Sequence, residues 1–358
     1  MRRELVPWGW SESYEEEFAT LAEEGLHPAR VIREQRGVLT LQAGPGELDA
    51  VLAGRLRHHE EGADDLPIVG DWVVFRQPDP GGMALVQAVL SRRSKLSRKV
   101  AGDRTVEQLV AANVDRVFVV TGLDGDYNVR RIERFLVMVR ESGADAVVIL
   151  NKADLADDPE ASREEVATAC GDVPVLLLAA KAGELGKIQE YLAPGETAVL
   201  VGSSGVGKTT LINQLIESTP QPTGAVREGD DRGKHTTTHR ELYRLAGGGL
   251  LIDNPGIREI QLWAGEEALE EAFEDIFELA SGCRFRDCTH VDEPDCAVVG
   301  AVKRGDLTLG RLANYRSLEK EAQALASRLD VRSRRKSAKR LSKLYKSVQA
   351  EARRRKNR

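Results

Sequence analysis

Cysteine is scarce here: four residues in a chain of 358. So few thiols exclude a small, disulfide-stapled secreted fold. Long apolar runs are missing too. No stretch approaches the roughly 20 residues needed to cross a bilayer, and the opening MRRELVPWGWSESYEEE lacks the apolar segment of a secretion signal. A cytoplasmic protein that makes no use of a membrane is expected. Aromatic residues are only 5% of the chain. Between residues 37 and 90 they are mainly Trp72 and Phe75, too few to form a stacking platform for single-stranded bases, and both are expected in a core. Any RNA contact there is expected through backbone or shape. No internal repeat or low-complexity tract precedes the C-terminal tail.

Charge is distributed unevenly. Val331 to Arg358 holds 13 Lys and Arg against one acid, Glu351, a local +12; with a total of −6, the preceding 330 residues carry −18. An acidic body with a basic tail is the asymmetry of a chain that brings one segment to a polyanion. The plainer reading of the tail is a solvated helix.

A chain of this length accommodates two or three domains. Residues 1–36 mix apolar and acidic positions and read as a helical leader. Residues 37–90 break into short β-rich pieces, GVLTLQ, AVLAGRLR, GDWVVFR and ALVQAVL, punctuated by turn residues. They predict a small barrel, either the oligonucleotide/oligosaccharide-binding (OB) kind or another five-strand kind. A basic linker, 91–110, follows. Residues 111–262 alternate apolar strands with helical patterns, the mark of a mainly parallel sheet covered on both faces. Residues 263–330 read as a helical unit around a Cys/His group, and 331–358 as the basic tail. The expected fold class is multidomain: an OB-like barrel, a central α/β domain and a C-terminal helical metal-binding unit.

The central region carries two nucleotide motifs in an unusual order. GSSGVGKT, at Gly202, Ser203, Ser204, Gly205, Val206, Gly207, Lys208 and Thr209, lies between the strand TAVLVG and a helix that Thr210 continues. Glycines at this spacing let successive N–H groups and the helix N-terminus face phosphates. Lys208 then reaches the β and γ phosphates, and the Thr209 hydroxyl binds Mg²⁺. Asp253, closing the strand of GLLIDNPG, is expected on the Mg²⁺ side, with Gly256 offering its N–H to the γ phosphate. In the polar loop RGKHTTTHRE, either Thr236 or Thr237 should complete the Mg²⁺ shell.

NKAD, at Asn151, Lys152, Ala153 and Asp154, comes upstream of the phosphate loop, whereas guanine-nucleotide domains ordinarily place it downstream. A carboxylate after a strand accepts from the N1–H and exocyclic amine of guanine, and adenine offers no matching pair. Asp154 is the expected discriminator. Asn151 should tie this loop to the phosphate loop, and the Lys152 stem should cover the base. A second base-side loop is expected at Ala179, Ala180 and Lys181 of AAKAG, where alanine at 179 leaves only backbone contacts. The two termini of such a sheet domain lie close together, so rejoining them through GELGKIQEYLAPGE and opening the chain elsewhere preserves the site. The loops still meet at the carboxyl ends of the strands.

Ile257 follows DNPG, where many GTPases place a water-orienting glutamine. An aliphatic side chain cannot do that, so unassisted turnover should be slow, with the missing group supplied by a partner or another loop. His235 is the internal candidate for a catalytic residue; the alternative is an exposed loop histidine. Cys283, Cys288, His290 and Cys296 form C-x4-C-x-H-x5-C, a four-ligand set suited to structural zinc. That module should display Arg284, Arg286, Lys303 and Arg304 towards RNA. Cys170 is expected to be a small buried residue, and His58 and His59 surface residues.

The order NKxD, GxxGxGKT, DxPG between a barrel and a Cys/His module resembles the circularly permuted ribosome small-subunit-dependent GTPase A family. The likeness runs through WGW, VGDWVVF, RRSKLSRKVAGDRTVEQLVAANVD, GKHTTTH and NYRSLEKE, covering all but the tail. It implies a GTP hydrolase of late 30S maturation, binding GTP/GDP with magnesium and one zinc ion; a monomer is expected. It further implies docking on the 30S subunit and its 16S rRNA, slow turnover stimulated by the subunit, and a catalytic role for His235. An alternative is an RNA-binding assembly checkpoint factor in which GTP is only a conformational ligand. A metabolic P-loop ATPase or kinase is a further alternative, opposed by Asp154.

Overall fold

The computed structural model describes residues 2–21, 23–35, 37–44, 46–54, 56, 66–77, 82–99, 107–125, 127–180, 185–218, 240–254, 266–285, 288–291, 293–324 and 326–327. A 3-10 turn, Arg3–Trp8, and helix α1, Glu12–Leu21, lead into strand β1, Leu26–Gln35. The helical leader expected over 1–36 therefore ends early: its last third is a strand. Gly25, at φ +80°, turns the chain out of the helical region, and Ala29, Val31 and Ile32 are buried beyond it.

Strands β2 (Val38–Ala43), β3 (Gly46–Leu52), β4 (Trp72–Arg76) and β5 (Ala84–Val89) complete a closed barrel with β1. The order is β1-β2-β3-β5-β4 and back to β1, antiparallel except for β3 beside β5. This five-stranded closure is that of the OB fold. Trp72 and Phe75 are buried, and Trp10, Tyr14 and Phe18 of the N-terminal segment pack with Trp72. Burying side chains of this size contributes about 1.5–3 kcal/mol each.

Part of the expected linker is ordered as a hairpin, β6 (Lys95–Lys99) with β7 (Glu107–Ala112). The α/β unit follows: β8 (Arg116–Gly122), α2 (Val129–Ser142), β9 (Asp145–Asn151), α3 (Pro159–Cys170), β10 (Val175–Leu177), α4 (Gly186–Gln189), β11 (Thr197–Val201), α5 (Lys208–Glu217), β12 (Arg240–Arg244) and β13 (Leu250–Asp253). Its sheet order is β10-β9-β8-β11-β13-β12, parallel except for β12. The apolar runs of β8, β9 and β11 are buried because helices lie over both faces. Asn128 caps α2 by accepting from the Arg131 N–H at 3.3 Å, and Asp158 caps α3 by accepting from Ala161 N–H at 3.0 Å, with Pro159 at the first turn. Strand β12 also pairs with β1, Arg33 opposite Glu241 and Glu34 opposite Arg240, so one sheet runs from the α/β unit into the barrel.

The expected acidic helix is two, α6 (Glu266–Ala272) and α7 (Glu274–Ala280), broken where Phe273 leaves helical geometry at φ −127° to fill the core. With α8 (Ala297–Arg304) and α9 (309–324) they enclose Leu269, Phe273, Ile276, Val298, Leu312, Tyr315 and Leu318, joined by Val137 of α2. Among the described residues no helix is long and apolar enough to cross a membrane.

Candidate functional site

The loop after β11 turns on three glycines with positive φ: Gly202, Gly205 and Gly207. At Gly202 a Cβ would lie 2.1 Å from the Val120 carbonyl oxygen, so the loop leaves the sheet where only glycine fits. At Gly207 a Cβ would lie 2.3 Å from Asn151 Nδ2. The missing side chain is thus what lets Asn151 approach. Ser203, Ser204, Gly205 and Val206 form the turn, and Lys208 opens α5 with Thr209 and Thr210 exposed on its first turn. Lys208 Nζ donates to the carbonyls of Gly202 at 2.8 Å and Ser203 at 2.5 Å, so its charge stays inside the loop.

Asn151, 2% exposed, ends β9 and joins three loops. Its Nδ2 donates to the Val206 carbonyl at 2.8 Å, and its Oδ1 accepts from the Ala180 N–H at 3.0 Å. The tie to the phosphate loop expected from sequence is therefore present, and it extends to the Ala179-Ala180 segment. Buried amide hydrogen bonds of this kind are costly to break, because each lost partner strands a polar group. Lys152 follows in the left-handed region, and Asp154 lies exposed in a short 3-10 turn, without a hydrogen bond or ion pair among the described residues. Asp253 closes β13 beside β11, the strand that feeds the phosphate loop. The structure thus brings Asn151, Lys152, Asp154, Ala180, Gly202–Thr210 and Asp253 to the carboxyl edge of one sheet. His235, Thr236, Thr237, Lys181, Gly256 and Ile257 lie outside the described residues, as do His58, His59, Arg286 and the basic tail.

Sequence reasoning missed two charged residues at this edge. Arg131, on the first turn of α2, donates from Nη1 to Ser203 Oγ at 2.8 Å, and Asp124, after β8, pairs with Lys152. Neither belongs to a nucleotide motif; the only signal was their place just after a parallel strand, where ligands of this architecture bind.

The second constellation lies between α7 and α8. The ligand atoms of Cys283, Cys288, His290 and Cys296 all fall within 4.8 Å of one another. Cys283 Sγ is 3.8 Å from Cys296 Sγ, and His290 Nδ1 is 3.6 Å and 3.5 Å from the two sulfurs. Burial holds the His290 pKa below its ordinary value, which favours the neutral imidazole that ligates metals. Glu293 braces the loop: its carboxylate accepts from the Thr289 and Val291 N–H groups, each at 2.9 Å. Arg284, Lys303 and Arg304 are exposed, although Arg284 pairs with Asp295 and Arg304 with Asp306. Cys170 stands apart, buried in the α/β unit, its thiol pushed up to about 12 by that burial and unsuited to ligate.

Residues 89–263 match the family model described as RsgA GTPase. The chain is 43% identical, over 98% of both lengths, to a protein of Opitutus terrae called small ribosomal subunit biogenesis GTPase RsgA. A protein of the same designation from Methanosarcina acetivorans is 44% identical over 90% of this chain and 86% of its own. Among solved structures, YjeQ from Thermotoga maritima superposes with a TM-score of 0.63 at 27% identity, over 83% of this chain and 99% of that one.

Proposed function

This chain belongs to the RsgA GTPase family, and from that premise we propose that it hydrolyses GTP while docked on the small ribosomal subunit during late maturation, nucleotide state governing its hold on rRNA. The relatives' designations name a GTPase of small ribosomal subunit biogenesis. The observation that carries the reading here is Asn151, whose amide joins the NKAD, phosphate and Ala180 loops into one pocket edge.

Within that pocket Asp154 accepts from the guanine edge, and its exposed carboxylate, unpaired among the described residues, supports the role. The Lys152 stem covers the base, the 179–181 segment contacts it through main chain, and the N–H groups of Gly202 to Thr210 with Lys208 hold the phosphates. Thr209 and Asp253, with Thr236 or Thr237, hold Mg²⁺, which neutralises charge on the phosphates. Gly256 reads the γ phosphate, and His235 orients the attacking water that Ile257 cannot. Cys283, Cys288, His290 and Cys296 hold one structural zinc. A tetrahedron with Zn–S near 2.3 Å has edges of about 3.8 Å between sulfurs, and the 3.8 Å Cys283–Cys296 separation fits it. The basic tail and the face bearing Arg284, Lys303 and Arg304 meet 16S rRNA. The chain works as a cytoplasmic monomer.

The test is a hydrolysis assay with purified 30S particles, run with GTP, ATP and xanthosine triphosphate. Stimulation by particles, restricted to GTP, is expected; a rate indifferent to particles would favour the checkpoint reading instead. Asp154→Asn should transfer preference to xanthosine triphosphate, and His235→Ala should abolish stimulated turnover with GTP binding retained.

A further inference from the structure

The segment joining β8 to α2 is laced to the NKAD loop by contacts that no nucleotide motif requires. Leu123 donates its N–H to the Asn151 carbonyl at 2.8 Å, and Tyr127 closes a turn by donating to the Asp124 carbonyl at 3.0 Å. That turn aims the Asp124 carboxylate at Lys152, Oδ2 to Nζ 2.5 Å, with the two side chains 29% and 28% exposed. Lys152 sits at φ +60° and ψ +35°, a conformation a lysine seldom adopts. Its backbone sets the direction of the stem, and Asp124 fixes the far end. Asp124 also lies against Gly122, where a Cβ would come within 3.0 Å of Oδ1; the carboxylate occupies space that a side chain at 122 would contest.

We propose that Asp124 is a positioning residue for nucleotide binding: it holds the Lys152 ammonium so that the four-carbon stem stands as a preformed wall for the purine. This rests on the reading of Lys152 as the residue that covers the base. A free lysine side chain samples many rotamers, and ordering it on binding costs affinity; a stem already paired has lost that freedom beforehand. Asp124 offers nothing to the exocyclic groups of the purine, since its carboxylate is engaged at the lysine. Its contribution is therefore the same for every 6-oxopurine nucleotide, unlike that of Asp154.

The test is calorimetric titration of the full chain with GDP, GTP and IDP. Asp124→Asn, which keeps shape and removes charge, should weaken all three by about two- to fivefold, the range of a partly exposed ion pair. Asp124→Lys, which sets like charges together, should weaken them further, by roughly tenfold. In a double-mutant cycle, Asp124→Asn should add nothing once Lys152→Ala is present, because the partner is gone. Unchanged affinities in Asp124→Asn alongside weakened binding in Lys152→Ala would overturn the proposal and leave the base-covering role standing. A loss for GTP that spares IDP would also overturn it, by locating the effect at the exocyclic amine. No effect of Lys152→Ala would remove the reading of Lys152 itself, and this inference with it.

Discussion

Two arginines hold the α/β unit to its neighbours, and they do so by opposite means. Arg30, at the barrel seam, is wholly buried. Its guanidinium donates to the carbonyls of Gly70 at 3.0 Å, Trp8 at 2.6 Å and Asn113 at 3.1 Å, and to Thr197 Oγ1 at 2.9 Å, with no carboxylate bonded to it among the described residues. Burial pulls its pKa down to about 10, which still leaves it charged at neutral pH. Arg311, at the C-terminal seam, forks onto Asp275 with two bonds of 2.6 Å and reaches Glu133 at 2.5 Å. Burial lowers its pKa, but Asp275 and Glu133 outweigh that and the net shift is upward. A cation hydrogen-bonded to neutral acceptors is geometrically fixed and less sensitive to salt, because its bonds are not ion pairs and burial shields it from mobile ions. A cation shared between carboxylates on two units is weakened by salt. The first seam is built to stay shut, the second to give.

The contrast can be broken most severely at Arg30. Arg30→Ala removes the donor from four acceptors, three of them in buried bonds, although the Gly70 carbonyl keeps Asn113 Nδ2, and should cost about 4 kcal/mol in urea unfolding of the full chain. Arg30→Lys should recover little, since an ammonium cannot span the same fork. At the other seam Arg311→Ala should cost less, about 2 kcal/mol, because Asp275 is partly exposed and rehydrates. Added salt should narrow the Arg311 deficit more than the Arg30 deficit; equal salt responses would erase the distinction.

Acid sharpens it further. Burial raises the Glu133 pKa above its ordinary 4.5, and Arg311 and Asn314 only partly pull it back. A carboxyl whose folded pKa is raised stabilises fully below its unfolded value, and that contribution is lost as pH rises through the folded value. Wild type should therefore gain stability relative to Glu133→Gln as pH falls from neutral towards the ordinary carboxyl value of 4.5. A difference between the two proteins that stays flat with pH would show that Glu133 does not titrate in this way. The smallest effect belongs to the exposed pair Arg134–Glu321, 33% and 41% exposed, where Arg134→Ala should cost under about 1 kcal/mol in the same assay.

What the sequence made legible follows from how local each signal is. The phosphate loop, NKAD and the Cys/His group are short runs in which spacing alone dictates geometry, and the permuted order was readable because the two nucleotide motifs each followed an apolar strand. Strand β1 was read as helix because Pro28, Arg30, Arg33 and Glu34 interrupt its apolar pattern. Those polar residues are satisfied only by distant partners: Arg33 pairs with Glu241, and Arg30 with Thr197. Strand β12, RELYR, is short and polar, and it became a strand by pairing with β13 and β1. Asp124 and Arg131 escaped notice for the same reason, since their meaning lies in what the topology sets opposite them.

Arg30 has a consequence for the order in which the chain comes into being. Two of its acceptors, Asn113 and Thr197, lie 83 and 167 positions downstream. As the polypeptide is translated, the shell of strands emerges carrying a cation whose lining has yet to be made. An excised fragment cut at residue 90 would keep the Trp8 and Gly70 carbonyls but lack the other two acceptors permanently, so the barrel is a module in shape but a dependant in stability.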